Sequence, residues 1–90
     1  DMPVIFFKAT IEKPYEHWVE IFDGHREAQE AAGFGLLYRG HEVEDPTSIR
    51  VVFSAPSVEA LQQFMQEQAG DIADSGHVLG SEEIIVCADM

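Results

Sequence analysis

Ninety residues leave room for one small domain, and 46% hydrophobic with 24% charged residues is the composition of a globular chain, not of a disordered tail. Asp and Glu number 17 against 5 Lys and Arg, a net charge of −12 that repels phosphate backbones and anionic lipid, so neither nucleic acid nor a membrane is an expected partner. Cys87 is the only cysteine, which excludes an intrachain disulfide and a cysteine-built zinc cluster.

Val4–Ile11 (VIFFKATI) is short, β-branched and aromatic, and reads as a strand apolar on both faces: Val4 and Phe6 on one, Ile5, Phe7, Ala9 and Ile11 on the other. Pro14 suits a helix start. Tyr15, Trp18, Val19, Phe22, His25, Gln29 and Ala32 then recur at three- and four-residue spacing, which predicts one amphipathic helix stopped by Gly33. Gly24 within it suggests close packing or ligand approach. Gly35–Val43 is a second strand, Glu44–Thr47 a turn, and Ser48–Ala55 a third strand forming a hairpin with the second. Ser57 caps a second helix with the stripe Val58, Leu61, Phe64, Met65, Ala69 and Ile72, which Gly70 is placed to break. Glu82–Ala88 is a fourth strand, on which Cys87 is expected to point into the core.

The order β-α-β-β-α-β predicts an α+β, ferredoxin-like sandwich: a four-stranded antiparallel sheet with strands one and three at its centre and two helices on one face. The other face needs a cover that 90 residues do not supply, and a second copy packed sheet to sheet is the simplest one. Asp1 ahead of Met2 reads as a cloning remnant, leaving a single domain over residues 2–90. No apolar run is long enough for a bilayer and no basic segment leads one, so the expected compartment is the cytoplasm.

From Tyr15 to Val86 the chain resembles the dimeric α+β-barrel superfamily, especially small proteins near the antibiotic-biosynthesis monooxygenases. The residues that carry the likeness are Trp18, Phe22 and His25 in W-x3-F-x2-H, Ala32-Gly33, Glu44-Asp45-Pro46, the run Val51 to Ala60, Phe64-Met65, and Ser75 to Val78. The resemblance implies a homodimer with a cavity between helices and sheet. It also suggests His25 and Asp45 as counterparts of a histidine–aspartate pair found in the YCII-like group. The sequence has no asparagine and its second helix no histidine, so the haem-degrading and haem-binding patterns of that superfamily are missing, and neither haem nor flavin is expected.

Four histidines are the most informative polar residues. His25 shares the aromatic stripe of helix one and is a candidate general base on a cavity wall; the ordinary alternative is a half-buried imidazole bonded to backbone. His77, beside Gly76 in the loop before strand four, is the second candidate catalytic residue. Trp18, Phe22 and Phe6 are the expected apolar ligand contacts, with Arg39 and His41 on strand two as polar ones. His17 is expected to face solvent. No H-E-x-x-H or two-His-one-carboxylate spacing announces a metal, and no glycine loop announces a nucleotide, so no cofactor is expected. The sequence thus points to a small homodimer that binds a hydrophobic or aromatic molecule; a cofactor-free oxygenase, cyclase or isomerase and a non-catalytic interaction module are the alternatives.

Overall fold

The β-branched run at the start forms β1 (Val4–Thr10), followed by α1 (Tyr15–Gly24), α2 (Arg26–Ala31), β2 (Gly35–Glu42), β3 (Asp45–Ser54), α3 (Val58–Glu67), α4 (Ala69–Asp74) and β4 (Glu83–Cys87). The computed structural model describes residues 2–88; Asp1, read above as a cloning remnant, and Asp89 and Met90, the end of the expected domain, lie outside them. The strands pair antiparallel in the order β2-β3-β1-β4, so the two most apolar strands are central, as the sequence predicts. This is the α+β ferredoxin-like architecture.

Alternation divides the sheet into two unlike faces. Ile5 and Ala9 of β1, with Ile49 and Val51 of β3, point toward the helices and are buried. They form two clusters: Trp18 of α1 packs on Ala9, Ile49 and Val51, whereas Leu61 of α3 packs on Ile5, Phe34 and Ala55. On the opposite face Phe6 pairs with Val52 and Ile85, and Lys8 with Arg50 and Glu83.

The ends of the elements follow their local chemistry. Ser57 Oγ accepts the Ala60 N–H at 3.1 Å and caps α3, and Gly33 at φ +91° follows the end of α2. Several expectations are corrected. Helix one is not continuous: it breaks at His25 (φ −102°, ψ 5°), and helix two breaks at Gln68 (φ −103°, ψ 16°) with Gly70 inside α4. A methyl group on Gly24 would meet nothing, so no close packing calls for that glycine. The hairpin turn is Val43-Glu44, and β3 starts at Asp45. Pro46 is tolerated there because β1 begins to pair with β3 only at Ser48, so no ladder bond from residue 46 to β1 is lost. Cys87 is exposed rather than core: it stands opposite Val4 on the face the helices leave open.

Candidate functional site

The two packed clusters do not close on each other. Between them lies a cavity of about 130 Å³, floored by Val51 and Phe53 of β3 and walled by aromatic rings from both helical segments. Trp18 and Phe22, one helical turn apart on α1, lie with centroids 5.1 Å from each other and line one side. Phe34 and Phe64, edge to face at 5.2 Å, line the other. A dry apolar cavity of about 150 Å³ accepts a benzene-sized molecule, so the space here is that of a single ring. Its polar lining is sparse: His25, His77, Ser75, and the side-chain amides of Gln29 and Gln68, which make no hydrogen bond among the described residues.

The structure brings Trp18, Phe22, His25 and His77 to this one cavity, but the two histidines are in different situations. His25 ends α1 and turns back on it, so that Nδ1 donates to the Ile21 carbonyl at 2.9 Å. Nε2 stands 2.8 Å from Asp71 Oδ2 on α4. Both ring nitrogens therefore already have an oxygen partner within the protein, and neither is left free for a ligand. The carboxylate partner of His25 is Asp71, not the Asp45 suggested by the resemblance; Asp45 instead accepts from the backbone and hydroxyl of Thr47, which hold its carboxyl below the usual range. Lys13 and His17 add to the same seam, both donating to the carbonyl of Asp74 at 2.9 and 2.8 Å. His17 thus ties α1 to α4 instead of facing open water.

His77 is buried and differently held. Its strand-like backbone docks on the end of β1, with the Glu12 N–H donating to Gly76 and the Val78 N–H to Thr10. Gly76, at φ +96°, sits where a Cβ would press on the Lys13 backbone, so glycine is required to bring the loop in this close. The imidazole stacks on Phe7 at 6.3 Å, and Nε2 lies 3.3 Å from Glu82 Oε1. The Glu82 carboxyl is held below its usual range by its own backbone N–H, against the opposing effect of burial, and His77 and the Gly80 backbone add to the lowering.

Phe6, Arg39 and His41 do not reach the cavity lining. Phe6 is on the far side of the sheet, because it alternates with the inward Ile5 and Phe7. Arg39 faces the helices but pairs with Asp23 and lies 5.4 Å over the Phe22 ring, behind the wall rather than in it. His41 packs edge-on against Tyr15 at 4.5 Å and donates from Nδ1 to the Glu42 carbonyl. Arg50, on the opposite face from Arg39, pairs with Glu42, and the Ser48 hydroxyl, with the Arg50 guanidinium, holds that carboxyl below its usual range. Sequence reasoning missed Glu82, Gln29 and Gln68. Glu82 carries no signal of its own, since only the Gly80 turn brings it back to His77. Among the described residues no group of three or more His, Cys, Asp and Glu side chains is placed to hold a metal ion, and no helix is long and apolar enough to cross a membrane.

Residues 2–88 match the family model described as "Domain of unknown function (DUF3764)". No curated protein matches the chain. Among solved structures, the fold is similar to that of a putative antibiotic biosynthesis monooxygenase from Nitrosomonas europaea, at 12% identity, covering 99% of each chain with a TM-score of 0.68. A second putative antibiotic biosynthesis monooxygenase, from Bordetella bronchiseptica, is 9% identical over 100% of this chain and 99% of that one, with a TM-score of 0.71. SnoaB, a cofactor-independent oxygenase from Streptomyces nogalater, is 11% identical over 100% of this chain and 97% of that one, with a TM-score of 0.64.

Proposed function

The chain belongs to the DUF3764 family, and from that premise we propose that it is a cytoplasmic homodimer whose protomers each bind one small, mainly apolar or aromatic molecule between the first helix and the sheet. The observation that carries this is the aromatic-walled cavity between the two core clusters. A pure interaction module has no need of such space, because filling it with side chains stabilises a core. The dimer reading rests on charge as well as on exposed apolar area. The chain is strongly acidic, yet its open sheet face carries the pairs Lys8–Glu83 and Arg50–Glu42 around Phe6, Tyr38 and Ile85. That face is locally neutral, so a second copy meets the least repulsion there. The cytoplasmic placement is supported by a single cysteine that needs no oxidising compartment.

A second reading, acid–base chemistry on the bound molecule, is favoured by His77 on the cavity wall, which has one ring nitrogen without a partner among the described residues, and by the fold shared with a cofactor-independent oxygenase. Binding comes first in either case. Thermal-shift and native mass spectrometric screening of one-ring compounds tests it. A ligand at about one hundred times its Kd stabilises the folded state by about 2.7 kcal/mol, which raises the Tm of a domain this size by roughly 10 °C or more. A screen in which no one-ring compound raises the Tm or adds mass to the protein removes the ligand-binding reading.

A further inference from the structure

His77 and Glu82 form a pair that the binding reading does not use. We infer that His77 accepts a proton from a neutral, planar acid of about one ring held in the cavity, a phenol or a ketone that can enolise, and that Glu82 is the residue that positions it. This rests on the cavity being a ligand site.

The argument is one of hydrogen-bond bookkeeping around two imidazoles on the same wall. A carboxylate only accepts, so the contact from His77 Nε2 to Glu82 Oε1 places the proton on Nε2. Nδ1 then carries the lone pair, and among the described residues it has no partner. His25, whose two nitrogens both have oxygen partners, offers no such unpartnered nitrogen. The His77 ring is also pre-set, by its stack on Phe7, by the bridge to Ile11 and by the glycine before it. Glu82 Oε2 is buried without a hydrogen-bond partner, so His77 is the only side chain that donates to this carboxylate among the described residues. When the ring becomes an imidazolium, the carboxylate beside it offsets the cost of a charge in a buried place. The chain's charge of −12 disfavours an anionic ligand, which is why the acid must arrive neutral.

The step balances without a further reagent. The Nδ1 lone pair takes the proton, and the electron pair of the broken O–H or C–H bond stays on the ligand as phenolate or enolate. The unengaged amides of Gln29 and Gln68 are the donors on the wall for that oxygen. For a ketone, the imidazolium returns the proton to a different atom of the same anion, and the product is a tautomer; nothing is oxidised or reduced.

The probes are 4-nitrophenol, whose anion absorbs in the visible, and 4-nitrotoluene, of like shape but with no acidic proton of that kind. Both are titrated at a pH below that at which the free phenol ionises. The expected result is that both bind the wild-type protein and the phenol appears as its anion. His77→Phe keeps the ring on Phe7 and still binds 4-nitrotoluene, but loses the phenolate signal at least tenfold. Glu82→Gln also keeps 4-nitrotoluene binding and lowers the phenolate fraction roughly tenfold, the equivalent of one unit of proton affinity. Should His77→Phe not fold, Glu82→Gln carries the test, since a merely structural glutamate would weaken both probes alike. Neutral 4-nitrophenol bound to the wild-type protein, or an undiminished phenolate signal in either variant, overturns the inference and leaves the binding reading standing. Failure of both probes to bind also overturns the inference, while the binding reading falls only if the whole one-ring screen fails.

Discussion

The two faces of one sheet carry similar side chains under opposite conditions. Ile5 is 0% exposed and its neighbour Phe6 45%; Ile49 is 1% exposed and Ile85 62%. On the helix side the clusters under α1 and α3 are buried; cover fails between them, at the cavity, and along the edge strand β4, where Ile84 and Val86 face the helices' side yet are 40% and 42% exposed. On the open side no described residue covers an apolar centre flanked by ion pairs. Tyr38 lies flat on that face, its ring over Gly40, where any Cβ would collide with it. One side is covered apart from a hole the size of a ring and the β4 edge, and the other is uncovered at its apolar centre. Different missing components suit the two: a small molecule for the hole, a protein surface for the sheet.

The adjacent pair Ile5 and Phe6 separates these cases most directly. Ile5→Ala opens a void in a packed cluster and should cost about 2–5 kcal/mol, read from urea unfolding at fixed protein concentration. Phe6→Asp should leave the fold intact but put a carboxylate in the middle of the apolar centre. Light scattering at micromolar concentration should report a dimer for the parent protein and a monomer for the variant, and the parent's Tm should rise with protein concentration where the variant's does not. A parent that scatters as a stable 10.0 kDa monomer breaks the comparison, because the open face would then need no cover.

Acid should separate the faces less sharply. Glu42 on the open side and Glu82 at the His77 loop both titrate below the usual 4.5, and Asp45 in the hairpin below 3.8. A carboxyl whose value is lower in the folded than in the unfolded chain stabilises the fold fully above the unfolded value, and that contribution is lost as pH falls through the folded one. Unfolding midpoints should therefore be steady down to about pH 5 and decline below about 4. Glu82→Gln, with no proton to take up, should decline less than the parent, and an identical slope in the variant would detach Glu82 from the effect.

Much of this was legible in the sequence because it depended on local periodicity. The alternation in VIFF and VVF assigned faces, the spacing of Trp18, Phe22 and His25 assigned an inward stripe, and Ser57 and Gly33 marked helix ends. The errors arose where a distant contact decides. His25 breaks its helix to bond with Ile21 and with Asp71, 46 residues away, and no pattern around residue 25 encodes that. Cys87 looked inward because its strand is apolar throughout, but β4 is an edge strand whose phase is set by its register with β1. Phe6 entered the expected site because aromatic residues on a two-sided strand give no sign of which side holds the cavity. The catalytic candidates were separable only by asking what stands at each ring nitrogen, which is a question about tertiary structure.

The smallest expected effect concerns the seam that closes the cavity on one side. Asp71 is largely exposed and His25 half-buried, so their 2.8 Å contact is closer to a surface pair than to a buried one. Exposed pairs are worth about 0.2–1 kcal/mol because water screens them and two side chains lose freedom. A double-mutant cycle with His25→Phe and Asp71→Asn should accordingly give a coupling of about 0.5 kcal/mol, from urea unfolding at neutral pH. His25→Phe alone should cost about 1 kcal/mol more than Asp71→Asn, since it also leaves the Ile21 carbonyl without its side-chain donor. A coupling several times larger would mean that the α1–α4 seam, rather than the sheet's packed clusters, holds the helix side together, and the contrast between the two faces would then rest on two histidine-centred bonds instead of on burial.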